Sequence, residues 1–233
     1  MRRRRAFVAV TGPAAADYLQ RMVSNDVESL EAGQACDALL LTAKARIIAP
    51  LRVLRRGADN FLLLTEPELG ERVAAELTRM RFAARCEITP EEHESWLVLD
   101  GDEVLDERPA GDEVTAEEAE RARIAAGVPR WGRELNESIL PAEAGLDRTH
   151  ISFTKGCYPG QEPIARLHYR GHVNRSLRVL DVEHASPGDE IVRDGKAVGR
   201  ITSAVPGLAL GYVRTEVPDD AELTVGAAPA RLH

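Results

Sequence analysis

Cysteine is scarce in this chain, and long apolar runs and surplus positive charge are missing. Of its 233 residues three are cysteines, Cys36, Cys86 and Cys157, an odd number at wide spacing. That argues against a disulfide framework and for a reducing compartment, so a cytoplasmic location is expected. Four thiolates usually hold an iron–sulfur cluster, so neither cluster ligation nor another metal site is expected of this chain alone. No apolar run approaches the roughly 18 residues that span a bilayer, and no membrane partner is expected. Lys and Arg number 30 against 38 Asp and Glu, for a net charge of −8. Such a chain does not bind nucleic acid by its overall field, and an anion needs a local basic patch. "MRRRRAFVAV" imitates an export signal, yet its apolar stretch stops at Thr11-Gly12-Pro13, short of the roughly 7–15 residues required. It reads instead as a basic lead into a first strand.

What is present divides into two textures. Up to about residue 100, periodicity predicts a strand at Ala6–Val10, then a helix opened by Pro13 and ended by Ser24–Asp26. A strand hairpin comes next over "ACDALLLTAKARIIAPLRVLRR", then a strand at Phe61–Leu64. A second helix is expected with Thr65 as N-cap and Pro67 at its first position, succeeded by strands near Ala83–Ile88 and Trp96–Leu99. This β-α-β-β-β-α-β order indicates an α+β platform. "GDEVLDERPAGDE" (101–113) holds six acids and reads as an exposed linker. Thr115 with Glu118 is a capping box for another helix, with Gly127 at its end. From 173 on, short strands broken by "SPGD", "DG", "PG" and "PDD" predict a small β-barrel, and Asp194-Gly195 is a hairpin signal. The expected division is therefore 1–172 and 173–233.

The densest chemistry lies in "KGCYPGQEPIAR", Lys155 to Arg166. Tyr158-Pro159-Gly160 fits a type II turn, and Gly156 also permits a backbone angle closed to other residues. Ile164, Leu167 and His168 fall at helical spacing. Cys157 is thus expected just before a helix N-terminus, where the dipole and the Lys155 ammonium would favour its thiolate. Gln161 and Glu162 supply donors and acceptors at the same end. The alternative is a tight turn with Cys157 as a small buried hydrophobe. Downstream, "ARLHYRGHVNRSLR" carries Arg166, Arg170, Arg175 and Arg178 with no acid. That run is either a solvated face or a grip for a carboxylate- or phosphate-bearing ligand.

"KGCYPGQEPIARLHYRG" resembles the signature of the folate-binding YgfZ family, relatives of the glycine-cleavage T-protein (aminomethyltransferase). "VTGPAAADYLQRMVSNDVESLEAGQACDALLLTAKARI" and "RIAAGVPRWGRELNESILPAEAGL" are similar to other segments of that superfamily. The resemblance implies a platform derived from ferredoxin-like halves around a ligand hole, with the barrel after it. It implies a protein that binds tetrahydrofolate or a one-carbon derivative and supports assembly or repair of iron–sulfur enzymes, its partners being folate and those client proteins. The family's signature maps onto Lys155 and Cys157 as activator and thiol. Its Gly-Gln-Glu maps onto Gly160, Gln161 and Glu162; for such a ligand Arg166 and Arg170 are the candidate cations for the anionic tail, and Asn25 is a further expected contact. The chain departs from the T-protein pattern in two places. Ala49-Pro50 stands where the T-protein's working aspartate lies, and its "G-Y-T-G-E" segment is absent, so the second half is shortened. Aminomethyl transfer by that route is not expected. A one-carbon transferase would need another acid, for which Asp26 and Glu134 are the candidates.

Overall fold

The computed structural model describes residues 1–98 and 103–233. After a two-residue strand β1 (Arg2–Arg3), the chain forms strand β2 (Ala6–Thr11), helix α1 (Ala15–Met22) and strands β3 (Ala35–Leu41), β4 (Ile47–Gly57) and β5 (Asn60–Thr65). Helix α2 (Gly70–Met80) and strand β6 (Glu87–Glu91) complete the unit. The five longer strands make one antiparallel sheet in the order β3-β4-β5-β2-β6.

Both faces of this sheet are covered. Tyr18 and Leu19 of α1 and Val73 and Leu77 of α2 pack on Val8, Leu40, Val53, Phe61 and Leu63. The opposite face, with Leu39, Leu41 and Ile47, packs against Leu135, Ile139, Tyr158 and Ile164. Burial on two sides explains why "ALLL" (38–41) and "FLLL" (61–64) are continuous apolar runs rather than alternating ones. No helix among the described residues is long and apolar enough to cross a membrane.

Several local expectations need correcting. Thr65 is not an N-cap: it ends β5, and its hydroxyl donates to the Pro50 carbonyl at 2.8 Å. Glu66 takes the cap position of a short 3-10 turn, Pro67–Leu69, ahead of α2. The strand expected from Ala83 starts only at Glu87, because the chain first turns through Phe82 at φ 47°. The strand expected at Trp96–Leu99 is β7 (Ser95–Leu97), and Leu99 lies outside the described residues.

Gly101 and Asp102 of the expected linker also lie outside them, but the stretch from Glu103 to Glu113 is not all linker. Strand β8 (Glu103–Leu105) pairs with β7, and β7 with β1, in a three-stranded sheet. Glu103 is there for a physical reason. Its carboxylate takes a bidentate pair from Arg5, at 2.9 and 3.0 Å, and a bond from the Ser95 hydroxyl. An acid that composition alone places in solvent is therefore a buried ion-pair partner.

Helix α3 (Ala116–Ala125) has the expected reciprocal capping box between Thr115 and Glu118, and Gly127 stands just past it at φ 65°. One further helix, α4 (Gln161–Arg170), precedes the barrel. Strands β9 (Arg175–Val182), β10 (Glu190–Arg193), β11 (Lys196–Val205), β12 (Leu208–Arg214), β13 (Leu223–Val225) and β14 (Ala228–Leu232) then close in the order β10-β11-β12-β9-β14-β13. Asp194 and Gly195, at φ 49° and 73°, form the tight turn between β10 and β11.

Glu134 joins barrel and platform. It is wholly buried, and its carboxylate accepts from Arg123 of α3 at 3.0 Å, the Arg130 amide at 3.0 Å and the Ser203 hydroxyl of β11 at 2.6 Å. Its own carbonyl accepts from the Tyr212 hydroxyl of β12 at 2.9 Å. With its oxygens committed in this way, Glu134 is a structural hub and not the free acid a transferase needs. Replacing it by Ala leaves the Arg130 amide and the Ser203 hydroxyl without this acceptor, while Arg123 keeps its pair with Glu120, a loss of about 1–3 kcal/mol. The urea midpoint of Glu134→Ala should fall accordingly, and a midpoint equal to wild type would contradict the assignment.

Candidate functional site

The turn Tyr158-Pro159-Gly160 has the geometry its sequence predicts. Gly160 sits at φ 83°, ψ 1°, and the Gln161 amide donates to the Tyr158 carbonyl at 3.2 Å, closing a type II turn. Gly160 is needed twice over. A Cβ there would lie 2.6 Å from the Thr42 carbonyl oxygen and 3.0 Å from the Ala45 Cα. The turn thus rests directly on the tip of the β3–β4 hairpin, and α4 starts from that contact. Ile164 and Tyr158 anchor it in the core with Leu41, Ala45 and Ile47.

Gly156 is different. It does not have a positive φ, and a Cβ there would meet nothing within 4 Å. The special backbone angle expected of it is absent.

Lys155 also departs from expectation. Its ammonium donates to the backbone carbonyls of Gln20, of Val23 at 2.6 Å and of Asn25 at 2.9 Å. These carbonyls lie at and just past the C-terminal end of α1, where a helix leaves acceptors unsatisfied and favours a cation. Burial pulls the Lys155 pKa down to about 8, against the opposing charges of Asp26, Cys36 and Glu28. The group is therefore a clasp on α1 rather than an activator of Cys157. Cys157 itself is exposed and stands three residues ahead of the Gly160 cap, outside the first turn of α4. Accessibility sets it apart from the other two thiols. Cys86 is buried, and burial pushes its pKa up; burial pushes Cys36 up to about 11, with Asp37 and Asp26 adding to it.

Residues 24–26 form the wall behind this clasp. The buried Ser24 hydroxyl accepts from the Leu39 amide at 2.8 Å and donates to the His150 carbonyl at 2.6 Å. Asn25 uses its side-chain amide on the carbonyls of Asp37, at 2.7 Å, and Thr149, at 3.1 Å. One Asp26 oxygen accepts from Gln20 at 3.0 Å and from the Ser29 amide at 3.3 Å. Asn25, expected as a ligand contact, is committed to holding β3 against the segment that leads to Lys155. Sequence reasoning missed Ser24 and the hairpin tip. The run "SND" announced a helix end, and nothing local showed that its serine would reach a segment more than 100 residues away.

In front of the turn lies a hollow of about 380 Å³, lined by the hairpin-tip residue Ala43 and by Tyr158, Gln161, Glu162 and Arg166, among others. That volume is within the range of small-molecule sites, roughly 300–1,000 Å³. Gln161 offers donors and an acceptor, Glu162 acceptors, and Arg166 a fork that matches a carboxylate. Arg170 does not line the hollow; it lies one helical turn beyond Arg166.

At Ala49-Pro50, where the resemblance to the T-protein implies an acid, Ala49 is wholly buried and Pro50 faces Leu39 across the ladder. The Pro50 carbonyl, and with it the nitrogen, points toward the side where β5 ends at Thr65, so the missing N–H breaks no ladder bond. The two glycines of the signature should behave differently when given a side chain. Gly160→Ala should lower unfolding stability by about 1–3 kcal/mol, whereas Gly156→Ala should stay within error of wild type. Equal effects in a urea titration would contradict the docking of the turn on the hairpin.

Comparison with known proteins adds family context to this geometry. Residues 174–233 match the family model of the CAF17 C-terminal beta-barrel domain. The chain is 26% identical over 281 residues to the tRNA-modifying protein YgfZ of Edwardsiella ictaluri, covering 94% of this chain and 85% of that one. It is 27% identical over 211 residues to an aminomethyltransferase of Nostoc sp., where the match covers 89% of this chain and 47% of the relative. A 104-residue stretch is 40% identical to a chloroplastic protein of Arabidopsis thaliana named as a transferase, and spans 24% of its length. The crystal structure of glycine cleavage system aminomethyltransferase T from Bartonella henselae shares the fold, with a TM-score of 0.81 at 17% identity over 98% of this chain and 82% of that one. The chain is thus similar along most of its length to tRNA-modifying YgfZ proteins and to aminomethyltransferases, and it shares the aminomethyltransferase T fold.

Proposed function

We propose that this protein binds tetrahydrofolate or a one-carbon derivative in the hollow at the start of α4, and acts there as an accessory factor for iron–sulfur enzymes. The observation that carries the reading is the hollow itself, where Gln161, Glu162 and Arg166 surround one opening beside the docked turn. A reduced folate has a fused polar ring and a glutamate tail. The ring suits the paired donors and acceptors of Gln161 and Glu162, and the tail carboxylate suits the Arg166 fork, with Arg170 next along the helix. When bound, the folate would supply a carrier for one-carbon units. The iron–sulfur role is supported by the likeness of the Lys155–Glu162 stretch to the YgfZ signature, with Cys157 as the functional thiol.

An accessory role fits better than an aminomethyl transferase. No proton-carrying side chain stands at Ala49-Pro50, Glu134 is sealed in the core, and an oxygen of Asp26 is engaged by Gln20 and Ser29. The carboxylate that does line the hollow, Glu162, is assigned by this reading to binding the ring.

Calorimetric titration with tetrahydrofolate and its one-carbon forms tests the ligand. Binding should be measurable, should weaken in Arg166→Ala, and should weaken again as salt screens the guanidinium. Neither heat nor a thermal shift at millimolar folate would overturn the proposal.

A second experiment tests the thiol. Alkylation at neutral pH, with mass spectrometry as the readout, should label Cys157 faster than Cys36 and Cys86, because only Cys157 is exposed. Cys157→Ser should keep the fold and lose the function in cells. If Cys157 is the slowest of the three, it has no part in the mechanism.

A further inference from the structure

We infer that His93 is a proton-dependent latch between the two platform sheets, holding the β7–β8 hairpin over the apolar side of the five-stranded sheet and letting go as the pH rises. The inference is independent of the folate reading. The His93 ring lies between two carboxylates, with Nε2 2.8 Å from Glu91 and Nδ1 2.7 Å from Asp106. Glu91 belongs to β6, at the edge of the large sheet, and Asp106 directly follows β8 of the small one. One ring therefore ties the two sheets together.

A neutral imidazole has one N–H and one lone pair. It can donate to Glu91 or to Asp106, and its lone pair then faces the other carboxylate at hydrogen-bond distance. Only the imidazolium satisfies both. Burial opposes that charge, but the bonds to Glu91 and Asp106 outweigh it and hold the His93 pKa above its ordinary value. The carboxylates shift in the matching direction. Bonds from Arg56 and then His93 pull Glu91 down to about 2, and bonds from His93 and the Glu94 amide pull Asp106 down. Around the ring the charged groups are thus Glu91, Asp106 and, behind Glu91, Arg56 of β4; Glu92, next in the chain, is exposed. Strand β2 presents only the Phe7 ring, near-perpendicular at 5.1 Å. The charges of the small sheet are paired elsewhere, Arg2 with Glu94, Arg3 with Glu66 and Glu103 with Arg5.

The two ends of the latch are not equally secure. Arg56 holds Glu91 through two bonds, at 2.7 and 3.0 Å, whatever the state of His93. Among the described residues, Asp106 has only the Glu94 amide, at 3.0 Å, besides the ring. Loss of the proton therefore frees the Asp106 end. Its neighbour Leu105 packs on Phe7, Ala9, Leu62 and Leu64, so release loosens the cover of that apolar patch. The direction follows from linkage. A raised histidine pKa makes the latch fully engaged below about 6.5 and lost as the pH climbs through the raised value. At the acid end it fails as the pH falls through the lowered pKa of Asp106.

NMR titration of the His93 ring and hydrogen exchange on the full chain test this, with exchange corrected for its intrinsic pH dependence. The probe is the Asp106 amide, which donates to the Glu94 carbonyl at 2.9 Å. His93 should titrate above about 6.5, and Asp106 protection should fall roughly 3- to 30-fold between about pH 6 and 8.5, while β2 and β5 amides keep theirs. His93→Gln, neutral throughout, should show the low protection at both pH values. Asp106→Asn should bring the His93 titration back toward its ordinary value. A His93 that titrates at or below about 6.5, or one unmoved by Asp106→Asn, would overturn the latch. So would Asp106 protection that is flat with pH, or a fall that persists in His93→Gln.

Discussion

The candidate site depends on one ammonium group. Lys155 reaches across 130 to 135 residues of sequence to three carbonyls at and just past the end of α1. Those acceptors have no partners within their own helix, and an uncharged side chain could not serve all three. By gathering them, Lys155 sets the path of residues 23–26, which in turn bond to β3 and to the Thr149–Ser152 segment through Ser24 and Asn25. The turn after Lys155 is then delivered to the hairpin tip, where Gly160 lets two backbones meet.

Much of the fold was legible because it is local. The apolar runs, the Thr115–Glu118 box, the Asp194-Gly195 hairpin and the Pro159-Gly160 turn each depend on residues within a few positions of one another. The misreadings were of another kind. Glu103 reads as solvent-facing among acids until Arg5 arrives from the far end of the chain, and Glu134 reads as a spare acid until β11 and β12 close around it. Thr65 looks like a cap because Pro67 stands two residues on, but the Pro50 carbonyl has the stronger claim on its hydroxyl.

The same distinction holds at the site. The composition of Lys155–Arg166 announced a polar hollow, and Gln161, Glu162 and Arg166 do line one. The partners of Lys155 and Asn25 were not legible, since backbone carbonyls carry no sequence signature. Residue identity shows what a side chain can offer; long-range packing decides who receives it.

Strand β6 has a bearing on how the chain behaves among its own copies. It ends the five-stranded sheet, paired to β2 on one side only, and an open strand edge invites polymerisation through backbone pairing. Its sequence, "EITPE", answers that hazard. Pro90 removes a donor from the edge, Glu87 adds an exposed charge, and Glu91 is held by Arg56 and His93. A neighbouring molecule would have to give up backbone bonds at Pro90 and desolvate carboxylates to extend this edge. Aggregation by strand addition at β6 is thereby disfavoured, at little expense to the fold, since β2 takes its ladder from β5 as well.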